Sequence, residues 1–233
     1  MVEPLYDITV TCSFCENNYK TMKVRPSFKK ASKTDTDFCL HYKEVNPDYY
    51  VVRICPFCGY AHTENFTDKW TTAQREIFYE KVAKNWTMRD YCKERSWEDA
   101  LQSYKLALLS AQIRDEKSRV IAGLLHHLAW LYRYKEDTEQ EKRFLTFALD
   151  EYVNVFETEG MDLNNARLMY LMGELCRRLQ RFQEAVKWFS RVINDRKIMD
   201  AGMIKACREQ WITTREDMLA MRLELPDEMK QAT

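Results

Sequence analysis

Four cysteines stand in two C-x-x-C pairs: Cys12 and Cys15 in CSFCEN, and Cys55 and Cys58 in CPFCGYAH. A C-x-x-C turn sets two thiolates on one edge of a tetrahedron while backbone amides point at the sulfurs, and a second such turn completes the shell. A shell of four thiolates leaves no position for water, so the expected role is structural rather than hydrolytic. Zinc is the expected ion, and a rubredoxin-like iron centre, which uses the same pair of turns, stays open as the alternative. The stretch between Cys15 and Cys55 is longer than the roughly 15–20 residues usual between zinc pairs. Loop closure costs only about 0.6 kcal/mol per doubling of length, whereas structural zinc contributes roughly 10–16 kcal/mol in small peptide sites. Cys39, His41 and His62 are reserve ligands if one cysteine is displaced. Cys92, Cys176 and Cys207 lie in helical patterns and read as small core residues.

The elements that must position these turns follow from hydrophobic period. Ile8-Thr9-Val10 precedes the first pair and YYVVRI, residues 49–54, leads into the second, so each pair is expected at the tip of a β-hairpin. Residues 1–68 are therefore expected to form a zinc-ribbon-like head with a long polar insert, and residues 69–233 a TPR-like α-helical repeat domain. The expected fold class is mostly α, with a small β-rich head followed by an α-solenoid, and an ordinary irregular helical bundle stays open as the alternative. From about residue 70 the period turns helical and stays so. Thr71 with Gln74, and Thr138 with Glu141, match the capping-box pattern that feeds two orphaned helix amides. In MYLMGELCRRLQRFQEAVKWFSRVI, Gly173, Ala185 and Phe189 take the small-residue and aromatic places of a tetratricopeptide-like helix pair. Tyr91 with Ala100, Tyr104 and Ala107, then Ala129 and Tyr132 with Ala148, read as two degraded copies.

If Ala129 and Gly173 are equivalent positions, the concave face of the solenoid carries His126, Trp130, Arg133, Tyr134, Tyr170, Glu174, Arg177 and Arg178. Aromatics and arginines are common anchors for a partner segment, so a protein or peptide partner is expected there. His126 and His127 are adjacent on a helix, point about 100° apart and do not chelate one metal together. Lys20, Lys23, Arg25, Lys29, Lys30 and Lys33 form a basic run in the insert, which offers a local anionic contact.

Composition excludes other classes. Lys plus Arg and Asp plus Glu both total 36 in the 233 residues, so no global field draws the protein to nucleic acid or an anionic membrane. No stretch approaches the roughly 18 apolar residues of a membrane span, and the first residues lack a secretory pattern, so the chain is expected to be cytoplasmic. Only five glycines are present, with no G-x-G-x-x-G, Walker-type loop, G-x-S-x-G or H-E-x-x-H. The expectation is a non-enzymatic protein; no oligomeric state is assigned.

The segments YDITVTCSFCENNYKTMKVR and DTDFCLHYKEVNPDYYVVRICPFCGYA, followed by helical repeats, resemble a widespread bacterial family of uncharacterised proteins known only as a domain of unknown function. The resemblance covers nearly the whole chain and implies a zinc-ribbon-like head, a TPR-like body and a bacterial cytoplasmic setting. Glu16 departs from it, standing where glycine usually follows the second cysteine. Three functions stay open: a zinc-binding adaptor for a protein or peptide, a nucleic-acid-associated factor using the basic insert, and a redox or metal-sensing module with rubredoxin-like iron as one form.

Overall fold

In β1 (Leu5–Thr11), Ile8 and Val10 turn inward between exposed Asp7, Thr9 and Thr11. Opposite them, β2 (Asn18–Val24) buries Tyr19, Thr21 and Val24. The strands pair antiparallel from Leu5 with Val24 to Thr11 with Asn18, which leaves the first cysteine pair at the hairpin tip. The insert forms a smaller hairpin, β3 (Lys33–Thr34) with β4 (Leu40–His41). A third, β5 (Arg53–Ile54) with β6 (Ala61–His62), brackets the second cysteine pair. The structure, a computed structural model, describes residues 2–158 and 165–230. Among these the sheets are all two-stranded and the remainder is mostly helical, so the fold is mostly α with a small N-terminal β part.

The described residues form two compact units, divided between Glu141 and Lys142. In the first, α1 (Thr72–Lys81) starts at the expected capping box: the Thr71 hydroxyl accepts from the Gln74 amide and the Gln74 side chain accepts from the Thr71 amide. A box the sequence reading missed, Ser96 with Asp99, starts α2 (Trp97–Ile113), which packs on α3 (Ser118–Arg133). The box expected at Thr138 and Glu141 does not form. α4 (Thr138–Thr158) is capped one residue earlier by Asp137, whose carboxylate accepts from the Gln140 amide at 3.1 Å. Glu141 instead accepts from Arg133.

The unbroken helical period from residue 70 onward also fails. After α1 there is only a short 3-10 turn, Ala83–Asn85, before α2. Tyr91 and Cys92, expected on a helix, therefore lie in irregular chain. Tertiary contacts override local propensity here. The buried Arg95 guanidinium donates to the carbonyls of Tyr91, Tyr49 and Val52, and Trp86 Nε1 donates to the Pro56 carbonyl at 2.8 Å. Both hold this segment on the β-rich part.

In the second unit, α5 (Ala166–Arg178) packs on α6 (Phe182–Asn194), and α6 on α7 (Ala201–Ala220). A Cβ placed on Gly173 would lie 2.6 Å from Phe189 Cε1, so the small-residue and aromatic positions meet as expected. Phe182, Val186, Met218 and Met229 share a core flanked by Trp211 and Leu225. No helix among the described residues is long and apolar enough to cross a membrane.

Candidate metal centre

The two cysteine turns are built alike. In the first, Cys12 N–H donates to the Asn17 carbonyl at 3.0 Å and Glu16 N–H to the Cys12 carbonyl at 2.8 Å. In the second, Cys55 N–H donates to the Tyr60 carbonyl and Gly59 N–H to the Cys55 carbonyl, both at 2.9 Å. The residue closing each turn is left-handed, Glu16 at φ 61° and Gly59 at φ 76°. Glu16 thus adopts the conformation that glycine adopts without a Cβ penalty. At Gly59 a second constraint applies, because a Cβ there would lie 2.3 Å from the Trp86 ring.

These turns bring four sulfurs together. Cys12 and Cys58 stand 3.6 Å apart, Cys15 and Cys55 likewise 3.6 Å, and all four sulfurs lie within 4.8 Å of one another. Four sulfurs held about 2.3 Å from a tetrahedral zinc would be about 3.8 Å apart, so the donor set fits such an ion in type, number and spacing. Cys12, Cys55 and Cys58 are buried, and Cys15 is half-buried with the Asn17 amide on its sulfur at 3.4 Å. Without a cation the sulfurs compete for protons. Hydrogen bonds from Cys12 and Cys58 push Cys55 down, whereas the bond to Cys55 pushes Cys12 up to about 12 and bonds to Cys12 and Cys55 push Cys58 up. A divalent ion held there would take all four sulfurs as thiolates and so end that competition.

The surroundings clamp both turns. Phe14 packs on Trp70 and Phe78 at ring separations of 5.2 and 4.7 Å. Arg75, on α1, donates to the carbonyls of Phe14 and Ser13, and Trp70 Nε1 donates to Ser13 Oγ. Trp86 covers the second turn. Trp70, Arg75, Phe78 and Trp86 carry no signal in isolation, since no local pattern records which segment faces the cysteines.

The reserve ligands lie elsewhere. Cys39 donates toward Tyr134 Oη, His41 Nε2 meets Asp35 at 2.8 Å, and His62 stacks on Tyr60. Burial pushes His62 down to about 4. Cys176 and Cys207 are buried in α5 and α7, their thiols pushed up to about 12 by burial; Cys92 is half-buried against the Ile54 carbonyl.

The expected concave face divides between the two units. In the first, the insert lies over α3. Arg133 Nη1 and Nη2 donate to Asp37 at 2.9 and 2.6 Å, Trp130 Nε1 donates to it at 3.1 Å, and His126 Nε2 stands 3.4 Å away. Tyr134 Oη donates to the Leu40 carbonyl. In the second, Tyr170 is buried against Phe189, and Glu174, with no exposed surface, accepts from Arg177 and Arg178. Arg177 also reaches Asp217 of α7 at 2.7 Å. Asp37, on which four α3 contacts converge or border, was missed at the sequence level. Of the basic run, Lys23 pairs with Glu64, Arg25 covers Tyr6 and Lys33 pairs with Asp35.

Fold and site define a mostly helical protein whose β-hairpin head carries a four-cysteine cluster able to hold a metal ion. A family model described as an uncharacterized protein conserved in bacteria (DUF2225) matches residues 5–214, and the chain belongs to that family. No curated protein matches it.

Proposed function

We propose that the protein is a non-enzymatic, zinc-binding adaptor of the bacterial cytoplasm. Zinc on Cys12, Cys15, Cys55 and Cys58 shapes the head, and the helical part engages a protein or peptide segment. The observation that carries this reading is the convergence of four sulfurs from two hairpin tips distant in sequence. A four-thiolate shell is closed, which favours a structural ion over one that activates water. The interaction part is supported by the way α3 grips an acidic turn of its own chain, at Asp37, through Trp130 and Arg133. A partner segment of the same chemistry would compete with the insert for that face.

Cobalt substitution tests the shell. The expected spectrum has intense sulfur-to-cobalt charge transfer and tetrahedral ligand-field bands that added azide leaves unchanged; azide-sensitive bands from the four-cysteine site would contradict a closed structural ion. Affinity capture from the native cells tests the surface. Asp37→Ala, which loosens the insert, is expected to retain more of the partner than wild type. Equal recovery would remove the α3 face from the reading.

A further inference from the structure

The insert holds a second constellation of chemistry-bearing side chains. The turn between β3 and β4 is closed by Asp35 N–H donating to the Cys39 carbonyl at 2.8 Å and Phe38 N–H donating to the Asp35 carbonyl at 2.9 Å, with Phe38 left-handed at φ 67°. Cys39 and His41 are two apart along an extended segment and so project to one side. One carboxylate oxygen of Asp35, the Cys39 sulfur and one ring nitrogen of His41 all lie within 4.8 Å of one another. We propose that Asp35, Cys39 and His41 form a second zinc site, separate from the four-sulfur cluster and with one coordination position left for solvent or a small ligand.

Three arguments support zinc there. The donor set pairs a thiolate and an imidazole with one carboxylate, a combination that suits zinc and not magnesium or calcium, which take oxygen donors. The electrostatic setting favours a cation, because Asp37 and Glu141 meet Arg133 and Asp48 accepts from Tyr134, so that with Asp35 four carboxylates are linked to the cluster through its neighbours. Lys33 and Arg133 are the permanent cations that contact Asp35. Asp35 and a Cys39 thiolate together bring the charge that a divalent ion neutralises, and the thiol proton leaves as the ion binds.

The present contacts show what the ion would displace and what would stay. His41 Nε2 and the Lys33 ammonium each hold Asp35 at 2.8 Å, and the Lys33 side chain is 69% exposed, free to swing into water. Arg133 keeps its hold on Asp37 and Glu141 and meets the same Asp35 oxygen as His41, Oδ2, which leaves Oδ1 open to the ion once Lys33 swings away. Tyr134 Oη, 3.4 Å from the Cys39 sulfur, accepts from the thiol now, and could turn its proton to a Cys39 thiolate only by releasing the Leu40 carbonyl. The cysteine is fully buried, whereas the His41 side chain is 31% exposed and gives the ion a way in. Two closed and two open features thus coincide: an enclosed sulfur with its adjacent phenol, and a reachable imidazole with a replaceable lysine.

Native mass spectrometry of the full chain, purified without chelator and titrated with zinc, tests the proposal. Wild type is expected to hold two zinc ions. His41→Ala, at a part-exposed position, and Cys39→Ser are each expected to hold one with unchanged helical circular dichroism. A wild-type protein saturating at one ion that His41→Ala retains would overturn the proposal, as would two ions persisting in both variants. The cobalt spectrum of His41→Ala reports the four-sulfur cluster alone, so failure of that cluster is read separately.

Discussion

Gly59 closes the second cysteine turn beneath the Trp86 ring, and two separate costs meet at its Cα. A side chain there would be strained by the left-handed backbone and would collide with the indole. Gly59→Ala is expected to lower stability by about 3 kcal/mol. In a Trp86→Ala background the steric part should vanish, leaving about 1 kcal/mol, as denaturant unfolding of the two pairs measures. Equal costs in both backgrounds would show that the indole does not set the penalty. His62, in the same hairpin, gives a pH prediction. Burial holds its folded-state value near 4, below the roughly 6.5 of an unfolded histidine. Between these values the unfolded chain binds more protons, so this residue's contribution makes stability fall as pH drops from about 6.5 toward 4. Its ring resonances should remain those of the neutral form at pH 5.5; a midpoint near 6.5 would contradict the burial. At this scale the sequence was informative where chemistry is written in spacing. The two C-x-x-C pairs named the cluster directly, whereas Trp86 and Arg75 act through proximity that no local pattern encodes.

Among the elements, the insert on α3 departs most from a reading by period. Its polar sequence reads only as a long insert without helical period, yet Asp37 is fully buried beneath Arg133 and Trp130. Removing a carboxylate from a buried ion pair strands the cation, which typically costs 3–5 kcal/mol. Asp37→Ala is expected to destabilise the protein by about 3 kcal/mol, since Asp35 and Glu141 still hold Arg133. It should also open residues 30–45 to limited proteolysis. Protection equal to wild type would mean that Asp37 does not hold the insert. The helix pair α5 and α6 was legible because Gly173, Ala185 and Phe189 fall at spacings fixed by close helix approach. The segment before α2 was not, because its contacts with the head outweigh a helical pattern that is real but weak. The cap at Asp137 was displaced for a similar reason: Glu141, the expected partner in the box, is taken by Arg133.

At the scale of the molecule, the head belongs with the first helices in the unit that ends at Glu141, and α5 to α7 lie in the other. Helical content and the position of the β-rich part were readable from the change of period near residue 70. The contacts of the insert with α3 are far apart in sequence, so no local window could carry them. If the ion organises the head, stripping it should act on its own unit first. Chelation is expected to raise amide exchange around residues 5–24 and 50–62 by at least tenfold while leaving amides of α5 to α7 unchanged. A uniform rise through both units would show that metal and fold are coupled across the whole chain. The central claim, one ion held by four sulfurs, is tested most directly by X-ray absorption at the zinc edge of the His41→Ala protein. The account predicts four sulfur neighbours at about 2.3 Å; a shell of nitrogen and oxygen, or a metal-free protein whose residues 5–62 remain protected from exchange, would contradict it.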